Sequence, residues 1–281
     1  MFEFRGKVIV ITGAASGIGA ALAKSLAQRG ARLMLADIDA TGLEALANTL
    51  RTQGCDCHWA VTDTGNEAAI YALAQQSLAK LGAADVVINN AGVSLVSPVE
   101  KLKTSDAHWL MNINFWGVVH GCRAFLPQLQ TRPAALLVNV SSIFAMVSMP
   151  TQSMYNASKA AVRAFSDALR EELRGTPVTV LCVHPGGIRT NIANTARITD
   201  SSMVADSDQK LREGFSKMAR TSPEQAATVI VNAIASGKTR VLIGGDAKFM
   251  DFLFRLAPSR ASAWLTRIGK RLREKARAGA A

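Results

Sequence analysis

The sequence predicts an α/β protein built on a doubly wound parallel sheet with helices on both faces. Three observations point there. Short apolar runs alternate with amphipathic segments of helical period along the whole chain. The first run, Lys7-Val8-Ile9-Val10-Ile11, is apolar without alternation, as in a strand covered on both sides. It flows into a glycine turn, Thr12-Gly13-Ala14-Ala15-Ser16-Gly17-Ile18-Gly19, that opens a helix. Across 281 residues, 49% are hydrophobic and 19% charged, which suffices for one sizeable core, and no repeat or linker divides them. The expected organisation is a body over residues 1–245 and a helical extension over 246–281.

The elements follow in order. After the glycine turn a helix spans Ala20 to Arg29 and stops at Gly30. Strand, glycine turn and helix make a phosphate site: glycines let the backbone approach a pyrophosphate, and the helix N-terminus supplies N–H groups. The spacing is G-x-x-x-G-x-G rather than the commoner G-x-G-x-x-G. Arg32 to Asp37 is the second strand. Asp37, at its carboxyl end 18 residues after Gly19, can accept from both hydroxyls of an adenosine ribose and would repel a 2′-phosphate. Neither Ser16 nor Ile38 is basic, so NAD is expected rather than NADP. Asp37 could instead be a helix cap, a role Asp39 could equally fill.

Leu43 to Thr52 is a helix and Cys57 to Val61 a strand, followed by Asp63, placed to reach an adenine amine, and Thr64. Asn66 caps a helix over Glu67 to Leu81. Asp85 to Ile88 is the fourth strand and ends in Asn89-Asn90-Ala91-Gly92, whose buried amides need partners and so read as ties across the sheet. One long helical segment runs from about Thr104 to Leu129 with Asn114 inside it; a buried mid-helix Asn implies a kink or a bound water. Ala135 to Val140 is the fifth strand and ends at Ser141-Ser142. The next helix carries Tyr155 and Lys159 and runs to Arg174, before Gly175 and Pro177. Val178 to Val183 is the sixth strand, leading into His184-Pro185-Gly186-Gly187-Ile188-Arg189-Thr190. Asn191 to Arg220 is polar and reads as a mobile insertion. Pro223 to Ala235 is a helix and Arg240 to Ile243 a seventh strand.

Tyr155 and Lys159 lie four apart, hence on one helix face. A phenol has a pKa of about 10, and a fixed ammonium nearby lowers it, which makes Tyr155 a candidate general acid/base. Taken alone, the spacing also describes a surface Tyr beside a solvated Lys.

Composition excludes several classes. No apolar run reaches the roughly 20 residues that span a bilayer, and none near the N-terminus is long enough for a signal-peptide core, so a cytoplasmic protein is expected. Cys55, Cys57, Cys122 and Cys182 lack the spacing of a metal site and read as reduced structural thiols; no metal is expected. The net charge is +11, and more than half of it falls in the last 36 residues. There Phe249, Met250, Phe252, Leu253, Phe254 and Leu256 form an apolar cluster. Beyond Pro258, a basic amphipathic helix is expected from about Arg260 to Arg277, with Ala261, Trp264, Leu265, Ile268 and Leu272 on one face. Such a helix can lie on an anionic membrane surface, or its apolar face can pack on the body or a neighbouring subunit. Nucleic-acid binding would rest on the basic tail alone and is not expected.

Taken together, Thr12-Gly13-x-x-x-Gly17-x-Gly19, Asn89-Asn90-Ala91-Gly92, Asn114, Ser142, Tyr155-x-x-x-Lys159 and Pro185-Gly186 resemble the short-chain dehydrogenase/reductase family, in its order and spacing, over roughly residues 5 to 245. The resemblance implies a Rossmann fold and hydride transfer between a nicotinamide and a carbinol carbon. It implies that Tyr155 passes the proton, that Ser142 hydrogen-bonds the substrate oxygen, and that Lys159 lowers the Tyr155 pKa and holds the nicotinamide ribose. It implies that Asn114 anchors a water linking Lys159 to solvent and that Ile188 and Thr190 contact the carboxamide. The cofactor set it suggests is Gly13, Ser16, Gly17, Ile18, Gly19, Asp37, Asp63, Thr64, Asn90, Ala91, Gly92, Tyr155, Lys159, Pro185, Gly186, Ile188 and Thr190. The insertion after Thr190 stands where the family keeps a substrate lid. The pocket wall expected is Ser94, Val96, Phe144, Met146, Met149, Met154, Gly186 and Ile192, apolar enough for a hydrophobic alcohol or ketone, although its Met residues fit core packing equally well. A homodimer or homotetramer is implied, because the helices with Asn114 and Tyr155 are more apolar than one sheet face needs. The nearest rival is a 3-oxoacyl-thioester reductase. Against it, Val93-Ser94-Leu95 replaces the Thr-Arg-Asp often seen in carrier-linked reductases. A non-catalytic dinucleotide-binding module is the other alternative, disfavoured by the intact Ser142, Tyr155 and Lys159.

Overall fold

The computed structural model describes residues 2–193, 195–199 and 220–258, with residues 260, 263 and 267. Seven parallel strands form one sheet: β1 (Val8–Thr12), β2 (Arg32–Asp37), β3 (Cys57–Val61), β4 (Val86–Asn89), β6 (Ala135–Val140), β7 (Val178–Pro185) and β9 (Arg240–Ile243), in the order β3-β2-β1-β4-β6-β7-β9. The chain leaves β1 toward β2 and β3, then returns to the other side of β1 with β4. That reversal opens a crevice at the carboxyl ends of the central strands, where doubly wound sheets bind ligands.

Alternation within each strand feeds two cores. Ile9, Ile11, Leu33 and Leu35 point to one face, under α1 (Gly17–Ala27), α2 (Ala40–Thr52) and α7 (Pro223–Ala235). Val8, Val10 and Met34 point to the other, under α3 (Glu67–Leu81), α5 (Gly117–Gln130) and α6 (Ser153–Glu172). Asp39 caps α2, Asn66 caps α3, and Ser222 closes a capping box with Gln225 on α7. Asp85, fully buried just before β4, accepts from Val8 N and pairs with Lys7 and Arg132, which clamps the amino end of the sheet.

Three expectations are corrected. The long helix from Thr104 is interrupted: α4 (Thr104–Met111) passes into a π-turn over Asn112–Trp116 before α5 begins. The polar stretch after Thr190 is anchored at its start. There β8 (Arg197–Ile198) pairs with β5 (Leu95–Val96), and Arg197 stacks 3.6 Å over Trp109 while binding Asp106 at 2.9 Å. Charge and ring face hold this end. The remainder of that stretch lies outside the described residues. The third concerns Met146: the apolar cluster of the extension forms α8 (Gly245–Leu256), directly after β9, and packs on the body. Ala247, Met250 and Phe254 on its inner face pack with Ile143, Met146 and Val147. Met146 therefore belongs to this small core rather than to a pocket wall. The amphipathic helix expected over 260–277 lies outside the described residues.

Candidate active site

The glycine turn is built by close approach. Gly13 has φ +65, and a Cβ there would lie 2.8 Å from Ala91 Cα. Gly19 packs against the Gly13 carbonyl with no room for any side chain. The Asn90 amide donates to the carbonyls of Thr12 and Gly13, and the Thr12 hydroxyl accepts from Asn90 N and Ala91 N. Asn90 thus supports the turn from beneath. Asn89 binds Asn139, which donates on to Ser166, so the pair of asparagines ties β4 to β6 and α6 as expected. Ser16 makes no side-chain cap on α1, in contrast to the caps of α2, α3 and α7, and leaves the first-turn amides facing the crevice.

Asp37 ends β2 and accepts from Ala15 N at 2.9 Å and Asp39 N at 3.2 Å. Asp39, not Asp37, caps α2, so Asp37 keeps its place beside the turn. Each of its oxygens retains a lone pair for a ribose hydroxyl. Asp63 accepts from Gly65 N and sits exposed beyond β3; Thr64 is buried against Gly117.

Across the crevice, the π-turn aims the Asn114 side chain at the strand end after Gly92. Its oxygen accepts from Val93 N at 2.8 Å, and its amide donates to Val93 O and Ser158 Oγ. Asn114 is fully buried; both of its amide N–H groups are used, and its oxygen keeps one lone pair. The side chain therefore ties α4–α5 and the Gly92 loop to α6.

Tyr155 and Lys159 lie on α6, one turn apart. Ser142, just beyond β6, lies close enough to the phenol to lower its pKa, and its Oγ accepts from Phe144 N at 3.1 Å. The Phe144 ring meets the Tyr155 ring edge-on at 6.3 Å. Lys159 is buried, donates to Val140 O at 3.0 Å, and lies 5.9 Å from the centroid of the Tyr155 ring. Burial pushes its ammonium down to about 8, so it stays a cation at neutral pH. Burial dominates and raises the Tyr155 phenol, while the Ser142 hydroxyl draws it partly back.

The donors around Lys159 show what the crevice fits. Among the described residues no carboxylate pairs with its charge, and one carbonyl takes one of its three N–H groups. A buried cation in that state calls for oxygens from a bound molecule, which ribose hydroxyls would supply. Gly92 is close by: a Cβ there would sit 3.3 Å from both Lys159 Nζ and Asn114 Oδ1. The uncapped α1, the glycine cradle, Asp37 and Lys159 thus lie along one crevice and fit a dinucleotide.

The loop after β7 covers the other side. Thr190 lies against Gly17, whose Cβ would be 3.2 Å from Thr190 Cγ2. Ile188 forms a parallel bridge with Thr221. His184 places Nδ1 3.3 Å from Ser142 O, and burial, followed by the Arg240 charge, pushes it down to about 4. It is neutral and structural. Of the expected pocket wall, Ser94 is buried, while Val96, Phe144, Met149, Met154, Gly186 and Ile192 are partly accessible. Thr151, between Met149 and Met154, has φ 68, an unusual value for a β-branched residue, and its carbonyl accepts from Ser97 N. The residue that motif reading missed is Asp246. Its signal was an acid following Gly244-Gly245 at the end of β9, opposite Pro185-Gly186-Gly187. A hollow of about 430 Å³ near Phe2, Leu136, Pro177 and Ile234 lies at the opposite, amino end of the strands and takes no part.

Residues 7–201 match the family model described as short chain dehydrogenase. The SadH protein of Mycobacterium tuberculosis (strain ATCC 25618 / H37Rv) is 41% identical over 262 residues, covering 92% of this chain and 94% of that protein. The 1-deoxy-11-beta-hydroxypentalenate dehydrogenase of Streptomyces avermitilis is 35% identical over 243 residues, covering 85% of each. A short chain dehydrogenase/reductase from Burkholderia phymatum, solved in complex with NAD, superposes with a TM-score of 0.79 at 33% identity, over 86% of this chain and 90% of that one. Residues 7–201 carry the glycine turn and the Ser142–Tyr155–Lys159 group, and the chain belongs to the short-chain dehydrogenase/reductase family.

Proposed function

We propose that the protein is an NAD-dependent oxidoreductase that interconverts a hydrophobic secondary alcohol and its ketone, with Tyr155 as general acid/base. The observation that carries this reading is the meeting of Ser142, Tyr155 and buried Lys159 at the mouth of a glycine-lined crevice. The same meeting favours an enzyme over a passive dinucleotide-binding module. Bound NAD would supply the hydride acceptor, or as NADH the donor, at the nicotinamide ring. The chain's own residues do the rest. Phe144 N orients the Ser142 oxygen, leaving its hydroxyl to bind the substrate oxygen. Tyr155, raised by burial, is held as the neutral phenol, the form that gives a proton to a ketone oxygen. The Lys159 cation then stabilises the phenolate that remains. Asp37 supports NAD over NADP, since its carboxylate would face a 2′-phosphate. The NAD complex of the Burkholderia relative and the dehydrogenase name of the Streptomyces relative agree with this reading.

The test is turnover of a panel of secondary alcohols and ketones with NADH and NADPH. Reduction of no ketone by either cofactor, in protein that binds NAD, would remove the catalytic reading. Two further proposals concern assembly. A homodimer or homotetramer through α5 and α6 is supported by half-exposed Trp116 stacked on His120, and a monomer mass by light scattering would refute it. Peripheral contact with an anionic membrane is supported by exposed Phe252 and Leu256 on α8 and by the basic tail. Failure to sediment with anionic vesicles at low salt would refute that. Among the described residues no helix is long and apolar enough to cross a membrane.

A further inference from the structure

We infer that Asp246, in the first turn of α8, is a positioning residue for the nicotinamide end of the cofactor site. The inference rests on the NAD-binding reading above and extends it into the C-terminal helix. The Asp246 carboxylate accepts from Gly187 N at 2.6 Å. Gly186 and Gly244 both close on that carboxylate so tightly that a Cβ on either would collide with its oxygens. Two glycines and one acid from segments some sixty residues apart therefore form one packed joint. A carboxylate at a helix N-terminus is favourable in any protein, and that alone would make Asp246 a stabiliser of α8. What it holds points further. Gly187 is the middle of a loop that has four anchors among the described residues: Gly186 N donates to Ile243 O, Gly187 N to Asp246, Thr221 N to Gly187 O at 3.4 Å, and Arg189 N to Thr221 O. Of these, only the Asp246 anchor is made by a side chain. At its far end the loop lays Thr190 against Gly17 in the glycine turn. A shift at Gly187 is carried through Ile188 to Thr190, the pair implied to meet the carboxamide. Among the described residues, Asp246 makes no hydrogen bond to Asp37 or Asn90, which build the adenosine side.

Calorimetric titration with NAD and with ADP-ribose, which lacks the nicotinamide, separates the roles. Asp246→Ala should weaken NAD binding by roughly 10- to 100-fold, the scale of a lost charge-assisted hydrogen bond, and leave ADP-ribose within about twofold. Asp246→Asn keeps an acceptor for Gly187 N and should stay near the wild type. Asp246→Glu keeps the charge but adds a methylene where Gly186 leaves no room, so it should behave like Asp246→Ala. Amide exchange over residues 186–190, measured without any nucleotide, should quicken in Asp246→Ala and not in Asp246→Asn. Unchanged NAD affinity in Asp246→Ala, or equal loss of NAD and ADP-ribose, overturns the positioning role. Wild-type protein that binds neither nucleotide would instead overturn the NAD reading, and the exchange data would still report whether Asp246 holds the loop. Should Asp246→Ala not fold, the Asn and Glu pair decides: equal NAD affinities in the two refute the inference.

Discussion

The glycine turn after β1 and the catalytic loop after β6 sit on the same crevice but are held differently. The turn is fixed by its own glycines and by Thr12, Asn90 and Asp37, all at the ends of three adjacent strands. The loop with Ser142 and Phe144 is held by α8, far downstream, through Met146, Met250 and Phe254. Arg240 strengthens that side: it pairs with Asp251 of α8 at 2.6 Å and reaches Met146 Sδ. Backbone geometry makes the first region stiff whatever packs outside it. The second depends on apolar contacts between segments that meet only in the folded chain. Cofactor geometry and substrate geometry should therefore respond to different mutations.

The largest expected effect breaks the first region. Gly19→Ala puts a methyl into the Gly13 carbonyl and should abolish measurable NAD binding and turnover together, while the far-ultraviolet spectrum stays native. Tyr155→Phe should lower turnover by about 10²-fold or more and leave NAD affinity nearly unchanged; turnover near the wild type would sink the acid/base assignment. Asp37→Ala should move the NAD/NADP preference toward NADP by roughly tenfold, or about 1.4 kcal/mol, read from kcat/KM with each cofactor. Wild-type preference for NADPH would show that Asp37 has been misread.

The second region is tested by Phe254→Ala. It should cost about 1–3 kcal/mol of stability and raise the KM for a ketone severalfold, with the NAD dissociation constant unmoved. A change in NAD affinity without one in KM would erase the contrast between the two regions. The smallest effect is acid sensitivity. His184 is held at about 4 in the fold against 6.5 in the open chain, so the unfolded state binds the extra proton between those values. Its contribution is fully present above pH 6.5 and is lost as pH falls through about 4. Melting temperature measured from pH 7 to 4 should fall less steeply in His184→Gln than in the wild type.

Much of this was legible before any coordinates. The apolar runs marked all seven main strands, because a strand covered on both faces must be apolar on both. Asn66 and the Ser222–Pro223 start marked their helices, because capping chemistry is local. Gly13 and Gly19 declared a close approach, though not that Ala91 and the Gly13 carbonyl would be what they approach. The two-residue strands β5 and β8 left no trace in the pattern, since Leu95-Val96 and Arg197-Ile198 are too short to carry a period. The π-turn at Asn112–Trp116 was legible only as an Asn in a helix; its extra residue is set by the fit of Asn114 to Val93 and Ser158.

The sequence by itself determined the doubly wound sheet, the glycine cradle, the acid at the end of β2 and the Ser142, Tyr155 and Lys159 set, because each follows from periodicity or from residues near in the chain. Tertiary structure decided the rest. It set the direction of the Tyr155 shift, since burial outweighs the pull of the Ser142 hydroxyl. It assigned Met146 to packing rather than to the pocket, and it joined Asp246 to Gly187. Those outcomes depend on desolvation and on contacts between distant segments, and neither quantity exists until the chain has closed on itself.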